Sequence, residues 1–344
     1  MSPSSKTALV ILNYNGRNYL ERFLPSVLLY TPYEVDIIVG DNASTDDSIQ
    51  FIKNKFPTVK IISLATNFGF AEGYNQVLKQ VEADYYFLLN SDVELKESWQ
   101  PLIDCLDTEK LVAAVQPKIL SHSNPAYFEH AGAAGGWIDN WGYPFCAGRI
   151  LDTIEKDKGQ YDQSGEIFWA SGASMMVRSK VFHDLGGFDG DYFAHMEEID
   201  WCWRAKKCGW KVMALPIVKV YHIGGGTLAY NTPRKVFLNF RNNLATIIKN
   251  ESILKLLYLI PLRKMVDFTA AIQFLIKGNA ASAKAIFQAY FNIYQWLPVL
   301  IKKRKLIHQL SKGKSFDKSG IFRGSLIINY FILGKRKFSQ LKNE

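Results

Sequence analysis

Short apolar runs alternate with amphipathic stretches along the first quarter of the chain. The apolar runs are rich in β-branched and aromatic residues, which predicts strands, and they are TALVIL, VDIIVGD, VKIISL and YYFLLN. Between them, stretches such as RNYLERFLPSVLLY carry apolar residues at helical spacing. Because strands that are buried on both faces are apolar throughout, the alternation predicts an α/β fold with a mostly parallel sheet and helices on both of its faces.

Polar, turn-forming residues end each of these predicted strands. In chain order the four ends are NYNG, DNASTD, TNFGF and NSDVE. In a parallel α/β sheet, ligands bind outside the carboxyl ends of the strands. The candidate site therefore lies at these four ends.

The pattern changes twice further along the chain. Residues 117–168 include the stretch HAGAAGGWIDNWGYPFCAG, which has no periodicity and predicts long loops over a site rather than a separate domain. Regular patterns return near residue 168 and become helical, apolar and basic from about residue 234. We therefore expect an α/β domain over residues 1–232 and a helical region over residues 233–344.

The distribution of charged residues limits the kinds of partner that the protein can have. The chain of 344 residues has 41 Lys and Arg against 32 Asp and Glu, and the basic excess lies after Pro233 in runs such as IKKRKL and GKRKF. Such a tail suits nucleic acid, anionic lipid or solubility alone. A nucleic-acid binder would interleave basic and exposed aromatic residues in its sheet, whereas these strands are apolar. We therefore expect no nucleic-acid partner.

Targeting and redox signals point to a reduced cytosolic chain. The four cysteines have no paired spacing. The first residues do not have the pattern of a signal peptide, and no run reaches the roughly 18 apolar residues of a transmembrane helix. A Rossmann dehydrogenase would need GxGxxG after the first strand, where this chain has NYNGRNYL.

The stretch LLNSDVEL suggests a metal site. Asn90, Asp92 and Glu94 follow a buried strand, and hard oxygen ligands in such a place can hold the Mg²⁺ or Mn²⁺ that neutralises a diphosphate. A solvated turn explains the same residues. Two further strand ends are equally ambiguous, because Asp41 suits a nucleotide base or a plain turn, and Tyr14 suits base stacking or core packing.

Two later stretches carry acid and imidazole groups. HMEEIDWCWR places Glu197 and Glu198 at a helix start, and Asp200 with Arg204 at the spacing of an ion pair. That pair leaves the adjacent glutamates unexplained, and one of them can act as a general base. His222 precedes Gly224, Gly225 and Gly226, and it is either a turn histidine or a ligand for metal or phosphate.

The motifs taken in order resemble the family 2 glycosyltransferases, in particular their bacterial rhamnosyltransferase-like branch. They are NYNG, DNASTD, NFGFAEGYN, LLNSDVEL, WASGASMMVRSKVFHDLGGFD, EEIDWCWR and YHIGGGT, and they span about residues 6–245. The resemblance implies the GT-A fold, with a nucleotide-binding part over about 1–116 and an acceptor part over about 117–232. It also implies inverting transfer of a sugar from a nucleoside diphosphate (dTDP-rhamnose or a UDP-sugar) to a hydroxyl of a glycan or lipid-linked acceptor in bacterial cell-surface polysaccharide synthesis.

Roles for individual residues follow from the resemblance. Glu198 matches the catalytic base, with Glu197 as the alternative. Asp92 matches the carboxylate of the DXD motif, whose first position is Asn90 here, and His222 matches a histidine that joins the metal shell in some relatives. The implied cofactor is Mg²⁺ or Mn²⁺. The predicted substrate-binding residues are Asn13, Tyr14, Asn15, Asp41, Asn67, Gly69, Asn75, Asn90, Ser91, Trp169, Gly172 and Arg204.

The helical region leaves two interpretations open. Long apolar runs mixed with Lys, Arg, Trp and Tyr between residues 253 and 301 suit helices packed on the main domain, and they suit amphipathic helices on an anionic membrane. We favour contact with the membrane surface, which implies a cytoplasmic protein at the inner face of the cell membrane. The alternative function is a non-catalytic nucleotide-sugar-binding or regulatory module at that surface, which would need no acid at residue 198.

Overall fold

Alternating strands and helices build the first part of the protein, as the pattern predicts. A computed structural model describes residues 6–224 and 232–341. The first elements are β1 (Thr7–Asn13), α1 (Arg17–Tyr30), β2 (Asp36–Asp41), α2 (Ser48–Lys55), β3 (Lys60–Ser63), α3 (Gly69–Leu78) and β4 (Tyr85–Asn90). All four predicted strands and the three helices between them are present.

The middle of the chain adds strands and three helices. They are β5 (Val93–Leu95), α4 (Gln100–Thr108), β6 (Val112–Ser121), β7 (Gly136–Asp139), β8 (Pro144–Cys146), β9 (Arg149–Ile150), β10 (Thr153–Ile154), β11 (Gly165–Ile167), β12 (Ser174–Arg178), α5 (Ser179–Asp184), α6 (Glu197–Lys207) and β13 (Lys211–His222). The expectation of long loops over residues 117–168 is wrong in part, because short strands occur there.

A mixed sheet forms the centre of the molecule, with the order β11-β13-β6-β12-β4-β1-β2-β3 and β5 paired to β13. Strands β1 to β4 pair in parallel, whereas β12 runs antiparallel between β4 and β6. Successive strand residues enter different cores. Leu9 and Ile11 pack on one side, and Ala8 and Val10 pack on the other. Burial on both faces explains the uninterrupted apolar runs.

A second sheet of five short strands has the order β10-β9-β8-β7-β14. Its last strand, β14 (Ile321–Phe322), follows the three helices of the basic region, which are α7 (Pro233–Asn250), α8 (Ile253–Ile276) and α9 (Ala280–Ser311). Among the helices of the described ranges, none has the length and apolarity needed to cross a membrane.

The helical region packs directly on the rest of the molecule. Asp267 in α8 accepts hydrogen bonds of 2.8 Å from the hydroxyls of Tyr143 and Tyr290, and the buried Arg263 donates to the carbonyl of Trp141 at 2.9 Å. These contacts join α8 to α9 and to the small sheet. A boundary between two domains at residue 232 stays a prediction.

Candidate active site

Neighbouring strands bring Asn13 and Asp41 together, since the two residues are register partners in β1 and β2. Asn13 Nδ2 donates to Asp41 Oδ1 at 3.1 Å, and Asp41 Oδ2 accepts from the backbone N–H of Ser44 at 3.0 Å. Both side chains are buried, and Asn13 Oδ1 has no hydrogen-bond partner among the residues that the structure describes. Asn13 and Asp41 therefore hold each other in place at the sheet edge, where the Asn13 Oδ1 atom is available as a hydrogen-bond acceptor.

Tyr14 and Asn15 follow β1 at the same edge. Asn15 has a left-handed backbone with φ of 51°, and its Oδ1 accepts from the backbone N–H of Thr45 at 2.7 Å. Asn15 therefore joins the loop after β1 to the loop after β2. Tyr14, the residue before Asn15, is 41% exposed, so a planar base can stack on its ring.

The turn before α3 meets the loop before α6. Asn67 Oδ1 accepts from the backbone N–H of Gly69 at 2.9 Å, and Gly69 has φ of 77°. A Cβ atom at Gly69 would lie 2.7 Å from the Phe193 carbonyl oxygen, so a side chain there is excluded. Further along α3, Asn75 engages the backbone of Phe188 with both ends of its amide, at 2.9 Å each.

The turn after β4 brings Asp92 against His222. Asn90 ends β4, and Ser91 and Asp92 lead into β5, which pairs with β13 so that Val93 faces His222. His222 Nε2 lies 3.1 Å from Asp92 Oδ1, and both side chains are buried. The structure therefore joins the two residues that the sequence predicts as metal ligands.

Glu129 contacts His222 in the structure, and it was not identified from the sequence. Its Oε2 lies 3.2 Å from His222 Nδ1, on the side of the ring opposite Asp92. Burial opposes a charge on the imidazole, but the contacts with Asp92 and Glu129 outweigh it and raise the pKa of His222 to about 10. Glu129 lies in the stretch without periodicity, so the sequence gives no signal for it.

Asp92 and His222 suit a cation that draws its remaining ligands from a substrate. Among the described residues, no three His, Cys, Asp or Glu side chains converge as a complete metal site. Mg²⁺ is usually held by one or two carboxylates together with substrate phosphates. The Asp92 carboxylate is a ligand of the type that suits Mg²⁺ or Mn²⁺, whereas the His222 imidazole can join it only as a neutral ring. Of the glycines that follow His222, Gly225 and Gly226 lie outside the described residues.

Glu197 and Glu198 begin α6 and have few polar partners. Glu197 is 4% exposed, whereas Glu198 is half-buried, and each has an Oε2 atom without a hydrogen-bond partner in the described ranges. Burial raises the pKa of Glu198 to about 7, against the opposing backbone N–H groups of Glu198, Ile199 and Gly172. Burial and the charge of Glu198 raise the pKa of Glu197 well above its ordinary value.

Tyr74 and the segment before β12 lie near both groups of predicted site residues. Burial raises the pKa of the Tyr74 hydroxyl, and the nearby charges of Asp92 and Glu197 raise it further. A Cβ atom at Gly172 would lie 3.8 Å from the Cβ atom of Glu198, and the carbonyl of the next residue, Ala173, accepts from the N–H of Asn90 at 3.0 Å. The segment of Gly172 and Ala173 therefore lies beside both Glu198 and Asn90, and a shared site for the predicted base and metal ligands stays a prediction.

Trp169 and Arg204 are engaged within the fold. Trp169 Nε1 donates to the carbonyl of Trp137 at 2.9 Å. The buried Arg204 pairs with Asp200 at 2.9 Å and donates to the carbonyl of Gly187 at 2.8 Å. Arg204 thus forms the ion pair with Asp200 that their spacing of four residues predicts. Substrate contact by either residue stays a prediction.

Residues 8–186 match the family model of glycosyl transferase family 2. The chain is 26% identical over 233 residues to an N-acetylglucosaminyl-diphospho-decaprenol L-rhamnosyltransferase of Mycobacterium tuberculosis, covering 62% of this chain and 75% of the relative. It is 20% identical over 242 residues to the low-salt glycan biosynthesis hexosyltransferase Agl10 of Haloferax volcanii, covering 68% and 73%. The predicted likeness to the rhamnosyltransferase branch is confirmed.

Solved structures confirm the GT-A fold. The crystal structure of GalNAc-T7 with UDP, GalNAc and Mn²⁺ matches with a TM-score of 0.55 at 16% identity, over 72% of this chain but only 48% of that one. The mannosyltransferase PcManGT of Pyrobaculum calidifontis, in complex with GDP-Man and Mn²⁺, matches with a TM-score of 0.50 at 11% identity, over 90% of this chain and 85% of that one.

Proposed function

Because the chain belongs to glycosyl transferase family 2, we propose that it transfers a sugar from a nucleoside diphosphate to a hydroxyl group of a glycan or lipid-linked acceptor, with inversion. The observation that carries the proposal is that Asp92 contacts His222 at 3.1 Å, while the segment of Gly172 and Ala173 lies beside Glu198 and hydrogen-bonds to Asn90, two residues before Asp92. Glycosyl transfer in glycan synthesis is the activity of this family. The inverting mechanism, the donor and the acceptor are our inference.

The donor would bind along the carboxyl ends of β1, β2 and β4. Asp41 and the orphaned Asn13 oxygen offer acceptors to a base, and the Tyr14 ring offers a stacking surface. The rhamnosyltransferase relative supports dTDP-rhamnose as the donor, and the UDP complex among the similar structures supports a UDP-sugar.

Asp92 and His222 would hold a divalent cation that neutralises the charge of the departing diphosphate. Asp92 supplies an oxygen, and His222 supplies Nε2 once that nitrogen has lost its proton. Glu129 keeps Nε2 directed toward Asp92 by contacting the opposite ring nitrogen. These residues would therefore determine where the diphosphate of the donor binds.

Glu198 would take the proton from the acceptor hydroxyl as it attacks the anomeric carbon. Of the two glutamates it is the one that solvent reaches, and a pKa of about 7 suits a base at neutral pH. Glu197 is more deeply buried, and burial together with the charge of Glu198 raises its pKa well above the ordinary value. A module that only binds nucleotide sugars gains nothing from two adjacent buried carboxyls, which cost free energy to bury. The pair therefore favours catalysis.

Stripes of exposed apolar side chains on α8 and α9 support contact with a membrane. On α8 the stripe comprises Leu254, Leu257, Tyr258, Met265, Phe268, Ile272, Leu275 and Ile276, and on α9 it comprises Phe287, Phe291, Tyr294, Leu297 and Ile301. Exposed lysines accompany them at positions 264, 277, 284, 302 and 305. Apolar stripes with basic residues suit an anionic bilayer, so we infer that the protein works at the inner face of the cell membrane on a lipid-linked acceptor.

A panel of nucleoside-diphosphate sugars tests the proposed function. With Mn²⁺ present, we expect one donor class to raise the melting temperature of the protein, since a ligand that binds only the folded state stabilises it. That donor should then release its nucleoside diphosphate when a lipid-linked or glycan acceptor is added. A donor that binds but is never transferred to any acceptor would favour a binding module instead.

A further inference from the structure

The loop that leads into α6 has an unfavourable backbone. Phe193, His195 and Met196 have positive φ angles of 66°, 70° and 74°, which residues other than glycine rarely adopt. Residues in that region persist only where their surroundings hold them, and they concentrate at functional sites. Because Glu198 follows this loop by two residues, its position depends on whatever holds the loop.

Asn242 of α7 holds the loop from the side of the helical region. Its Nδ2 donates to the carbonyls of Tyr192 at 3.0 Å, Ala194 at 2.9 Å and His195 at 2.8 Å. The side chain is fully buried. The two N–H groups of one amide are thus shared among three carbonyls, those of Tyr192, Ala194 and His195.

Arg241 fixes the orientation of that amide. Its Nε donates to Asn242 Oδ1 at 2.8 Å, so the amide nitrogen must face the loop. Arg241 Nη2 also donates to the carbonyl of Tyr192 at 3.0 Å, and the guanidinium lies 4.3 Å from the ring centre of Trp296 in α9. From the opposite side, the carbonyl of Phe193 accepts from the N–H of Phe70 in α3 at 2.6 Å. The loop is held between α3 and α7.

We infer that Asn242, oriented by Arg241, is a positioning residue for the catalytic base. It stabilises the strained backbone of residues 193–196 and thereby sets the start of α6 and the carboxylate of Glu198. Helix α7 lies beyond the residues that match the family model, and on this inference it belongs to the catalytic apparatus. The inference rests on the proposed function, because it assigns Asn242 a role in that same site.

Substitution of Asn242 tests the inference, with Asn243 as the matched control. Asn243 is also a buried amide of α7, but its Nδ2 donates to the carbonyl of Gly142 at 2.8 Å, away from the loop. We expect Asn242→Ala to lower kcat about 100-fold, the order of loss that follows a misplacement of about 1 Å. The KM for the donor and the Kd for nucleotide should not change. Asn243→Ala should lower the melting temperature similarly but leave kcat near that of the wild type.

A rescue experiment separates positioning from a general loss of stability. Glycine adopts positive φ without strain, so His195→Gly relieves part of the cost that Asn242 offsets. Asn242→Ala should therefore lower kcat by a smaller factor in the background of His195→Gly than in the wild type. An equal loss in both backgrounds would overturn the inference. If Asn242→Ala does not fold, the isosteric Asn242→Asp, which lacks the amide donors, is compared in the same two backgrounds.

The failure of this inference can be told apart from the failure of the proposed function. A wild-type protein that transfers no sugar from any donor removes the proposed function. A wild-type protein that is active, with Asn242→Ala and Asn243→Ala indistinguishable in kcat, removes the role of Asn242 alone. Loss of nucleotide binding by Asn242→Ala would also overturn it, because the loop would then be supporting the whole fold.

Discussion

Glu197 and Glu198 are adjacent in the chain but differ in burial, and this difference supports Glu198 as the proposed base. Glu198 is half-buried with a pKa of about 7, whereas Glu197 is buried with a pKa well above its ordinary value. A base must reach the acceptor hydroxyl and must be ionised when it does so. On the proposed function, we therefore expect Glu198 to act as the base near neutral pH.

Glu198→Gln should abolish transfer and leave nucleotide binding nearly intact. The amide keeps the shape of the side chain but cannot accept a proton. Glu197→Gln should retain measurable transfer. Turnover assays and nucleotide titrations by calorimetry check both variants. The reverse order of activity would assign the base to Glu197, and loss of nucleotide binding by Glu198→Gln would show that Glu198 has another role.

The pH dependence of kcat/KM should follow the ionisation of Glu198. Burial raises its pKa from 4.5 to about 7, so the carboxyl is protonated and inactive below that pH and ionised above it. We expect kcat/KM to rise about tenfold per pH unit below 7 and to level off above it. Initial rates across this range, with folding checked at each pH, measure the profile. A plateau that extends below pH 5.5 would contradict the assignment.

Glu129→Gln should weaken the binding of Mn²⁺ in the presence of nucleotide. Carboxylates that contact the far nitrogen of a metal-binding histidine typically contribute 10- to 100-fold in metal affinity, and Glu129 lies 3.2 Å from His222 Nδ1. Calorimetry of Mn²⁺ binding to the protein with nucleoside diphosphate measures this without turnover. Glu94→Gln is the control, because Glu94 lies in the same motif as Asp92 but pairs with His122. Equal affinities for both variants would remove the role of Glu129.

At the residue scale, the sequence predicts groups at strand and helix ends and misses groups that reach the site from elsewhere. Asp92 and Glu198 stand out because polar residues interrupt apolar or aromatic stretches. Glu129 lies in an aperiodic segment, and Asn242 lies on a helix whose pattern predicts only packing. Their roles depend on contacts between segments far apart in the chain, which periodicity does not encode.

At the scale of elements, α3 contacts the loop before α6. We expect this contact to influence the positions of Glu197 and Glu198, which begin α6. Gly69→Ala introduces a Cβ atom 2.7 Å from the Phe193 carbonyl oxygen at φ of 77°. Gly186→Ala is the matched control, since φ is 82° there and a Cβ atom meets nothing within 4 Å. Both should lose about 1–2 kcal/mol through left-handed strain. Only Gly69→Ala should also lower kcat, as denaturation curves and turnover assays would show, and equal kcat values would contradict this.

Element prediction succeeded where strands are buried on both faces and failed where they are very short. Strands β1 to β4 have uninterrupted apolar runs because both of their faces are covered. Strands β7 to β10 have two to four residues each, fewer than a periodic pattern needs in order to be recognised. The antiparallel course of β12 was also beyond prediction, since a strand sequence does not specify its direction.

At the scale of the whole molecule, buried ion pairs couple the helical region to the site. Lys249 of α7 lies 2.9 Å from Asp200 of α6 and 2.5 Å from Asp189, and Lys303 of α9 also pairs with Asp189. Burial opposes the charge of Asp189, but the two lysines outweigh it and lower its pKa. Removing the helices would leave buried charges unpaired, which is strongly destabilising. Membrane contact is therefore best tested by substitutions at the surface of the intact chain.

Leu254→Glu with Leu257→Glu should reduce binding to vesicles that contain phosphatidylglycerol. These side chains are 79% and 71% exposed, so a charge costs the fold little but must be desolvated on entering a bilayer interface. Leu29→Glu, at a site 72% exposed on α1, is the control and should sediment with vesicles like the wild type. Binding should weaken with added salt, because exposed lysines contribute. Equal sedimentation of all variants, or a dimer that the double substitution dissociates without vesicle binding, would show that the stripe does not meet lipid.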